Sequence, residues 1–350
     1  MKRIFLTGGT GFLGRYLIRE LKKAGHEIYA LVRSETLAKV NLSEHFDGVT
    51  FIKGNLNLPQ ICETPEDREM LKERVTDVIH AAALYDLEAN RESLYLANVV
   101  GTHHLIHLAS EMRKIREFHH VSTMAVAGNH HGLFQEDYFG INPQFSDPYG
   151  ETKYLAEAAI RNWKTDTKKT IHRLGILVGD SKTGEIDKVD GPYYVLRTLK
   201  RLHGIMKHWP LFKVLPFPFC PNARIYLLGG DIAANAIVRT TERPSEQEIR
   251  TYHIMGQEGG VTIPHLLKLM LDHLGTPKIL MPVPQNRLLP SVLRHFDIPE
   301  RSLSYLYSPC RFSVGKITAD FPEIKFPKID QYSETLFSYA CRELFLGRNS

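Results

Sequence analysis

The sequence predicts an α/β fold, a doubly wound parallel sheet with a smaller, mixed C-terminal region, and three observations predict it. Short apolar runs alternate with segments of helical periodicity as far as Gly179. A glycine-rich turn joins the first run to the first helical segment, and beyond Gly179 the regular alternation stops. The 350 residues suffice for one large domain or two intimately joined ones.

The chain opens on KRIFLTGGTGFLGRYLIREL, in which Ile4, Phe5 and Leu6 give a buried-strand signal and Leu13, Leu17 and Leu21 recur at helical spacing. Between them Gly8, Gly11 and Gly14 form G-x-x-G-x-x-G, a variant of the dinucleotide fingerprint. Gly8 allows a tight turn, Gly11 lets a pyrophosphate approach bare backbone, and Gly14 lets helix and strand pack closely. Gly8, Thr10, Gly11, Phe12, Leu13 and Gly14 are therefore the candidate cradle, with helix N-terminal amides holding the anion.

Residues 26–32 (HEIYALV) read as the second strand. Where an NAD site of this type wants a carboxylate for the ribose hydroxyls, Arg33 and Ser34 stand instead. A guanidinium binds a 2′-phosphate through charge-assisted bonds, so NADP(H) is the expected cofactor. Glu35 is close enough to leave NAD or dual use as the alternative.

A third strand over Val49–Lys53 runs into Gly54-Asn55-Leu56, and an acidic stretch over Pro65–Arg74 reads as helix. The fourth strand, residues 76–80, breaks into Ala81-Ala82-Ala83, small residues that let a ligand lie close to backbone, or that pack a helix. A long helix is expected over residues 89–112 with Asn98 near its middle, then a fifth strand over residues 117–121 leading to Ser122-Thr123. In such a sheet ligands lie beyond the carboxyl ends of the strands, which is where the glycine loop, Arg33, Ala81 and Thr123 fall.

Residues 128–148 are rich in Gly, Asn, Asp and Pro and read as an irregular loop. Tyr149-Gly-Glu-Thr-Lys153 then opens a helix continuing through Trp163, and a sixth strand follows at residues 169–174. Tyr149 and Lys153, four residues apart, share a helix face. A free phenol has a pKa of about 10 and is a poor acid at neutral pH, but an adjacent ammonium favours the phenolate. Tyr149 is thus the candidate general acid, Lys153 its modulator and a grip on the nicotinamide ribose, and Thr123 a hydroxyl donor to a substrate carbonyl.

Composition narrows the classes. Hydrophobic residues make up 43% and charged residues 24%, and the net charge of +5 is not gathered in a basic run, so nucleic acid is not an expected partner. The four cysteines are scattered without metal-finger spacing, which points to reduced thiols. The 17 histidines include the adjacent pairs His103-His104, His119-His120 and His130-His131, whose neighbours point to different sides and make no ligand face; no metal is expected. No apolar run approaches a bilayer-crossing length, and a first strand starting at residue two or three leaves no room for a signal peptide, so the expected location is cytoplasmic.

TGGTGFLG, HAAA, NVVGT, HVST and YGETK, in this order, resemble the extended short-chain dehydrogenase/reductase superfamily, with a Rossmann-like fold. LVR after the second strand, VST at the fifth and RLGILVGDSKTGEID from Arg173 are most similar to its thioester-reductase and fatty acyl-CoA reductase (male-sterility type) branch. The resemblance implies a Thr123-Tyr149-Lys153 catalytic set, Asn98 near the nicotinamide or a proton-relay water, and Asn55, Leu56, Ala81, Ala82, Ala83, Gly175 and Ile176 at the cofactor. It implies NADPH-dependent reduction of an acyl thioester, borne on CoA or a carrier, or of a long-chain aldehyde. Leu174 stands where that branch usually has proline, and Asn55 where an adenine-binding aspartate is usual.

The alternatives within the superfamily are a ketone or alcohol dehydrogenase and an NAD-dependent sugar-nucleotide epimerase. Met124-Ala125 occupy the places of a dehydratase acid pair, and Ala127 that of the usual epimerase tyrosine. A nucleotide-binding sensor or assembly factor is the non-enzyme alternative, although such relatives typically lose the tyrosine or lysine kept here. Many relatives also form a homodimer through the two long helices.

The remaining chain is divided on this reading into an NADP-binding domain, 1–180 with 225–260, and a substrate-binding region, 181–224 with 261–350. Residues 189–208 read as mostly helical. Residues 209–221 (WPLFKVLPFPFCP) are apolar and proline-broken, a buried connection, an acyl-pocket wall or a membrane contact. Residues 230–238 resemble the helix that returns to the cofactor domain, 251–255 a late strand beside the sixth, and 262–274 an amphipathic helix stopped by Gly275.

Overall fold

The computed structural model describes residues 1–37, 46–86, 89–140, 143–187, 189–208, 214–276, 279–284, 298–299 and 303–345. Its first half alternates as the periodicity requires: β1 (Arg3–Thr7), α1 (Phe12–Lys23), β2 (Glu27–Val32), a one-turn α2 (Ser34–Leu37), β3 (Val49–Lys53), α3 (Pro65–Arg74) and β4 (Asp77–His80). A helix then runs through α4 (Arg91–Tyr95), a π-turn (Leu96–Val100) and α5 (Gly101–Ser110) to β5 (Glu117–Thr123). The expected long helix is present, but Asn98 sits inside the π-turn, a wider local winding that sequence periodicity does not report. Asn90 caps this helix, its side chain accepting from the Ser93 amide at 2.8 Å.

Among its described residues the loop over 128–147 holds one short strand, β6 (Gly132–Phe134), and it leads to α6 (Pro148–Asn162) and β7 (Lys168–Leu174). The second half includes β8 (Ile176–Val178), α7 (Pro192–His208), β9 (Val214–Pro218), β10 (Arg224–Ile225), β11 (Leu227–Gly229), α8 (Gly230–Glu242), β12 (Ile249–Ile254), β13 (Val261–Thr262), α9 (Ile263–His273), β14 (Ile279–Val283), a short helix at Leu303–Tyr307, β15 (Cys310–Phe312) and, after it, helices at Gly315–Asp320 and Ser333–Tyr339. Gly275 stops α9 with a φ of +65°. Residues 209–213 of the proline-broken segment lie outside the described residues, and residues 214–218 pair as β9 with β14.

Seven strands form one sheet in the order β12-β7-β5-β4-β1-β2-β3, and every pairing in it is parallel. The Rossmann-like expectation therefore holds, with β12 beside β7 as the late strand. Strand alternation divides the core: Ile4 and Leu6 point into the layer shared with α1 and α8, whereas Phe5 points to the opposite layer with Leu71, Leu105, Leu108 and Ile160. Chain order reverses between β1 and β4, which opens a crevice at their carboxyl ends.

α8 closes against α1, where Gly230 faces the rings of Phe12 and Tyr16; a Cβ there would come within 2.7 Å of Tyr16. A further apolar layer joins Leu196 and Leu199 of α7, Leu266, Leu267 and Met270 of α9, and Leu336 and Phe337 near the C-terminus. Cys310, Phe312, Ile317 and Phe321 instead pack into the layer shared with α1. No described helix is long and apolar enough to cross a membrane.

Candidate active site

The glycine turn lies at the crevice. Gly8 has a φ of +77°, and a Cβ on it would lie 2.6 Å from the Ala82 amide nitrogen. Gly14 is as constrained, its Cβ position lying 2.0 Å from the Gly8 carbonyl oxygen. Around Gly11 a Cβ would meet the Gly8 carbonyl at 3.3 Å and nothing else, so its other side is open. No side chain caps α1 and its first turn carries no acid, leaving helix-end amides facing a groove suited to a pyrophosphate.

That groove, about 560 Å³, is walled by Gly8, Thr10, Gly11, Phe12, Leu13 and Gly14, by Arg33, by Asn55 and Leu56, and by Ala81, Ala82 and Ala83. These are the residues expected at the cofactor, and they fit an extended dinucleotide. Ser34 is not brought to the groove: its hydroxyl donates to Glu63 at 2.5 Å, and Thr36, two residues further on, lines the wall beside Arg33. Asn57, Ser93, Leu96 and Ala97 also line it and were not foreseen. The Asn55 side-chain oxygen accepts the Asn57 amide at 3.0 Å.

Ala81, Ala83, Leu84, Phe12 and Leu13 also wall a second cavity of about 490 Å³, so the two spaces share a partition. Thr123, Tyr149, Lys153, Gly175 and Ile176 converge there. The chain folds this way because Asp147 caps α6, its carboxylate accepting the Gly150 amide at 2.8 Å, while Pro148 sets the first turn. Tyr149 thus enters the cavity at the helix start, and Lys153 follows one turn later. Asn98 does not line the cavity. It is buried behind the partition, accepting from the Leu84 amide at 2.8 Å and donating to the Leu84 carbonyl and to Thr152, both at 3.2 Å.

Burial dominates the electrostatics. It pushes the Tyr149 phenol above its ordinary value, against a hydrogen bond from Thr123 that pulls it down. The lowering expected from Lys153 is absent: desolvation of the phenolate is the largest effect, and the lysine Nζ donates instead to the Val121 carbonyl at 2.7 Å. Burial also brings Lys153 down to about 8, with Glu157 opposing it. Glu157 itself is raised by burial but held at about 2 by Arg173 at 2.7 Å, by Arg161 and by Ser122. Arg173 also donates to the carbonyls of Glu136 and Tyr138, which fastens the loop before α6.

Sequence reasoning missed several wall residues. Tyr85 packs edge-on to Tyr149, ring centres 4.9 Å apart, and its hydroxyl reaches Asp190 at 3.4 Å. Tyr305 and Asp187 also line the cavity. Tyr85 directly follows the alanine run and was findable by that adjacency; Tyr305 arrives from a distant part of the chain without a local motif. Tyr85, Ile176 and Tyr305 face a further, apolar cavity of about 50 Å³ walled by Val195, Phe217, Ile263, Leu266, Leu267 and Met270.

Among the described residues one group has the donor set of a metal site: Asp77, Glu117 and His119, at the opposite end of the sheet. Lys2 already pairs with Asp77 at 2.5 Å and Arg250 with Glu117 at 2.8 Å. Two carboxylates neutralised by two cations leave no net charge to attract an ion, and the group reads as a buried ion-pair network.

Comparison with known proteins agrees with this geometry. Residues 6–224 match the family described as male sterility protein. The chain is 26% identical over 287 residues to the fatty acyl-CoA reductase wat of Drosophila melanogaster, covering 67% of this chain and 55% of that protein. It therefore spans about half the length of that relative. Among solved structures, the terminal R domain from the myxalamid biosynthetic pathway superposes with a TM-score of 0.78 at 22% identity, covering 98% of this chain and 92% of that one. The dTDP-glucose 4,6-dehydratase of Bacillus anthracis, solved with NAD, gives 0.66 at 18% identity and covers 98% and 97%. With the glycine cradle, the parallel sheet and the family match over most of the chain in agreement, this protein belongs to the male sterility family, the fatty acyl-CoA and thioester reductase branch of the extended short-chain dehydrogenases/reductases.

Proposed function

We propose that the chain is an NADPH-dependent reductase of an acyl thioester, presented as a CoA or carrier conjugate, or of a long-chain aldehyde. The observation that carries this reading is the convergence of Thr123, Tyr149 and Lys153 on a cavity that shares one wall with a dinucleotide-shaped groove and another with an apolar cavity. Residues 1–180 with 225–260 would hold the nucleotide, and 181–224 with 261–350 the substrate.

In this reading Gly8 to Gly14 hold the pyrophosphate, and Arg33 with Thr36 the 2′-phosphate. When bound, NADPH would supply a hydride to the carbonyl carbon. The Thr123 hydroxyl donates a hydrogen bond to the carbonyl oxygen, and the Tyr149 phenol delivers the proton that oxygen needs as it gains charge. Lys153, its ammonium anchored on the Val121 carbonyl, would grip the nicotinamide ribose. For a thioester the overall change is RCO–SR′ + NADPH + H⁺ → RCHO + R′SH + NADP⁺: as the C–S bond breaks, the newly protonated oxygen gives up its proton to re-form the carbonyl and the leaving thiolate takes up a proton, so one H⁺ is consumed in all. The apolar cavity beyond Tyr85 and Tyr305 receives the start of the acyl chain.

Titration of NADPH against NADH, followed by NADPH oxidation with a panel of acyl-CoAs, aldehydes and ketones, tests this. Tight NADPH binding with thioester-dependent oxidation is expected, and Tyr149→Phe should abolish turnover while leaving nucleotide affinity nearly intact. Oxidation driven by ketones alone would move the substrate class to the ketone reductases. NADPH binding without turnover of any panel member would favour the sensor reading.

A further inference from the structure

His80, the last residue of β4, is buried and bridges two threonines. Its Nδ1 lies 2.8 Å from the Thr7 hydroxyl and its Nε2 2.9 Å from the Thr102 hydroxyl. The partners of those hydroxyls decide which ring nitrogen carries the proton. Thr102 donates its one hydroxyl hydrogen to the Asn98 carbonyl at 2.6 Å, so towards the ring it only accepts, and Nε2 must donate. The Nδ1 of a neutral imidazole is then bare and accepts the Thr7 hydroxyl. Thr7 in turn accepts the Ala82 amide at 3.3 Å. Each hydrogen in this chain of bonds finds one acceptor.

The two ends of the chain reach different parts of the site. Ala82 lines the nucleotide groove and packs directly against Gly8. Asn98 clamps Leu84 through both atoms of its amide and donates to Thr152, whose hydroxyl donates to the Tyr149 carbonyl at 3.1 Å. The π-turn is what brings this together. Thr102 lies four residues beyond Asn98, and the bond from its hydroxyl to the Asn98 carbonyl sits where the helix is wound wider.

We propose that His80 is a positioning residue: an uncharged imidazole, protonated on Nε2, that holds the Ala82 amide and Asn98 in one register and thereby aligns the nucleotide groove with the first turn of the Tyr149 helix. A charged ring would break this pattern, since Nδ1–H would meet a hydroxyl that must then turn its own hydrogen away. Burial and the neighbouring Lys153 charge keep the ring at about 3, far from that state, and the rings of His120 and Phe118 enclose it at 5.3 and 6.3 Å. His120, too, is held well below its ordinary value by burial and Lys153.

The proposal is tested first on the unliganded wild-type chain. With ¹⁵N-labelled histidine, the His80 ring assigned through its own backbone should show the Nε2–H tautomer and no titration between about pH 5.5 and 8. A ring that titrates in that range, or that carries its proton on Nδ1, overturns the proposal. Two near-isosteric variants then separate the two ends. Thr7→Val should weaken NADPH binding by roughly five- to tenfold, the effect of one lost hydrogen bond. Thr102→Val should speed hydrogen exchange of the Leu84 amide by about tenfold without a nucleotide present. Unchanged NADPH affinity in folded Thr7→Val, or unchanged Leu84 exchange in folded Thr102→Val, overturns it.

Discussion

The ammonium of Lys153 donates to the main-chain carbonyl of Val121 at 2.7 Å, two residues before Thr123. This bond ties α6 to the end of β5 through the Lys153 side chain, and so holds the spacing of Thr123, Tyr149 and Lys153.

Burial gives Lys153 a pH dependence with a definite sign. Burial lowers its pKa to about 8, below the ordinary lysine range. Activity that needs the ammonium should fall as pH rises through about 8, and Lys153→Met should lose at least about 100-fold in kcat across the whole profile. Stability moves the other way. The native state binds fewer protons than the unfolded chain between about 8 and 10.5, so the penalty of the buried ammonium is full below 8 and fades above it. Thermal unfolding should find Lys153→Met gaining on the wild type at pH 7 and losing that gain towards pH 10; a difference independent of pH would remove the buried charge as its cause.

Acid should unfold this protein early. His80, His172 and His253 are each held at about 3 and His119 and His120 well below their ordinary value, all chiefly by burial. The unfolded chain takes up protons at these rings near pH 6.5, so their contribution is present above 6.5 and is lost as pH falls below it. Five such rings together can remove about 7 kcal/mol per pH unit as an upper bound. Urea unfolding at pH 7, 6.5, 6 and 5.5 should show the midpoint falling steeply and progressively. A flat midpoint over that range would mean these rings are not buried and neutral.

The same histidines mark where the sequence was legible and where it was not. Local rules sufficed for β1, α1 and the glycines, because turn, strand and helix signals there are carried by adjacent residues. They also sufficed for Tyr149 and Lys153, whose spacing alone puts them on one face. The adjacency of His119 and His120 says only that they share no ligand face; that His120 is buried with neither ring nitrogen paired among the described residues is a matter of tertiary surroundings. Ser34 is expected at the cofactor by its place beside Arg33, and its Glu63 partner, 29 residues away, cannot be read locally. Tyr305 and the parallel pairing of Val214–Pro218 with Ile279–Val283 likewise depend on contacts between distant segments.

Nucleotide preference gives a direct test of the groove. Arg33 lines it at the end of β2, with Thr36 beside it and Ser34 turned to Glu63. Arg33→Ala should raise the NADPH Kd by about 10- to 100-fold, the usual size of a charge-assisted contact, and leave the NADH Kd within about twofold. Equal losses for both nucleotides, measured by calorimetry, would assign Arg33 to the shape of the groove rather than to the 2′-phosphate.

The apolar cavity yields a pair of changes with opposite signs. Met270 and Leu267 of α9 line its wall, and Tyr85 and Tyr305 stand where it meets the catalytic cavity. Met270→Trp fills that space, so KM for long-chain acyl-CoAs should rise by about tenfold while acetyl-CoA is little affected. Leu267→Ala enlarges it, and kcat/KM should shift towards longer or branched chains. Either change disturbs a close-packed layer and should lower stability by about 1 to 5 kcal/mol, which circular dichroism separates from the kinetic effect. Because each added methylene contributes about 0.8 kcal/mol on burial, a chain that enters the cavity gives a stepwise dependence of kcat/KM on length that stops where the cavity ends. A dependence that is smooth, or unchanged in both variants, would place the acyl chain along another surface of the protein.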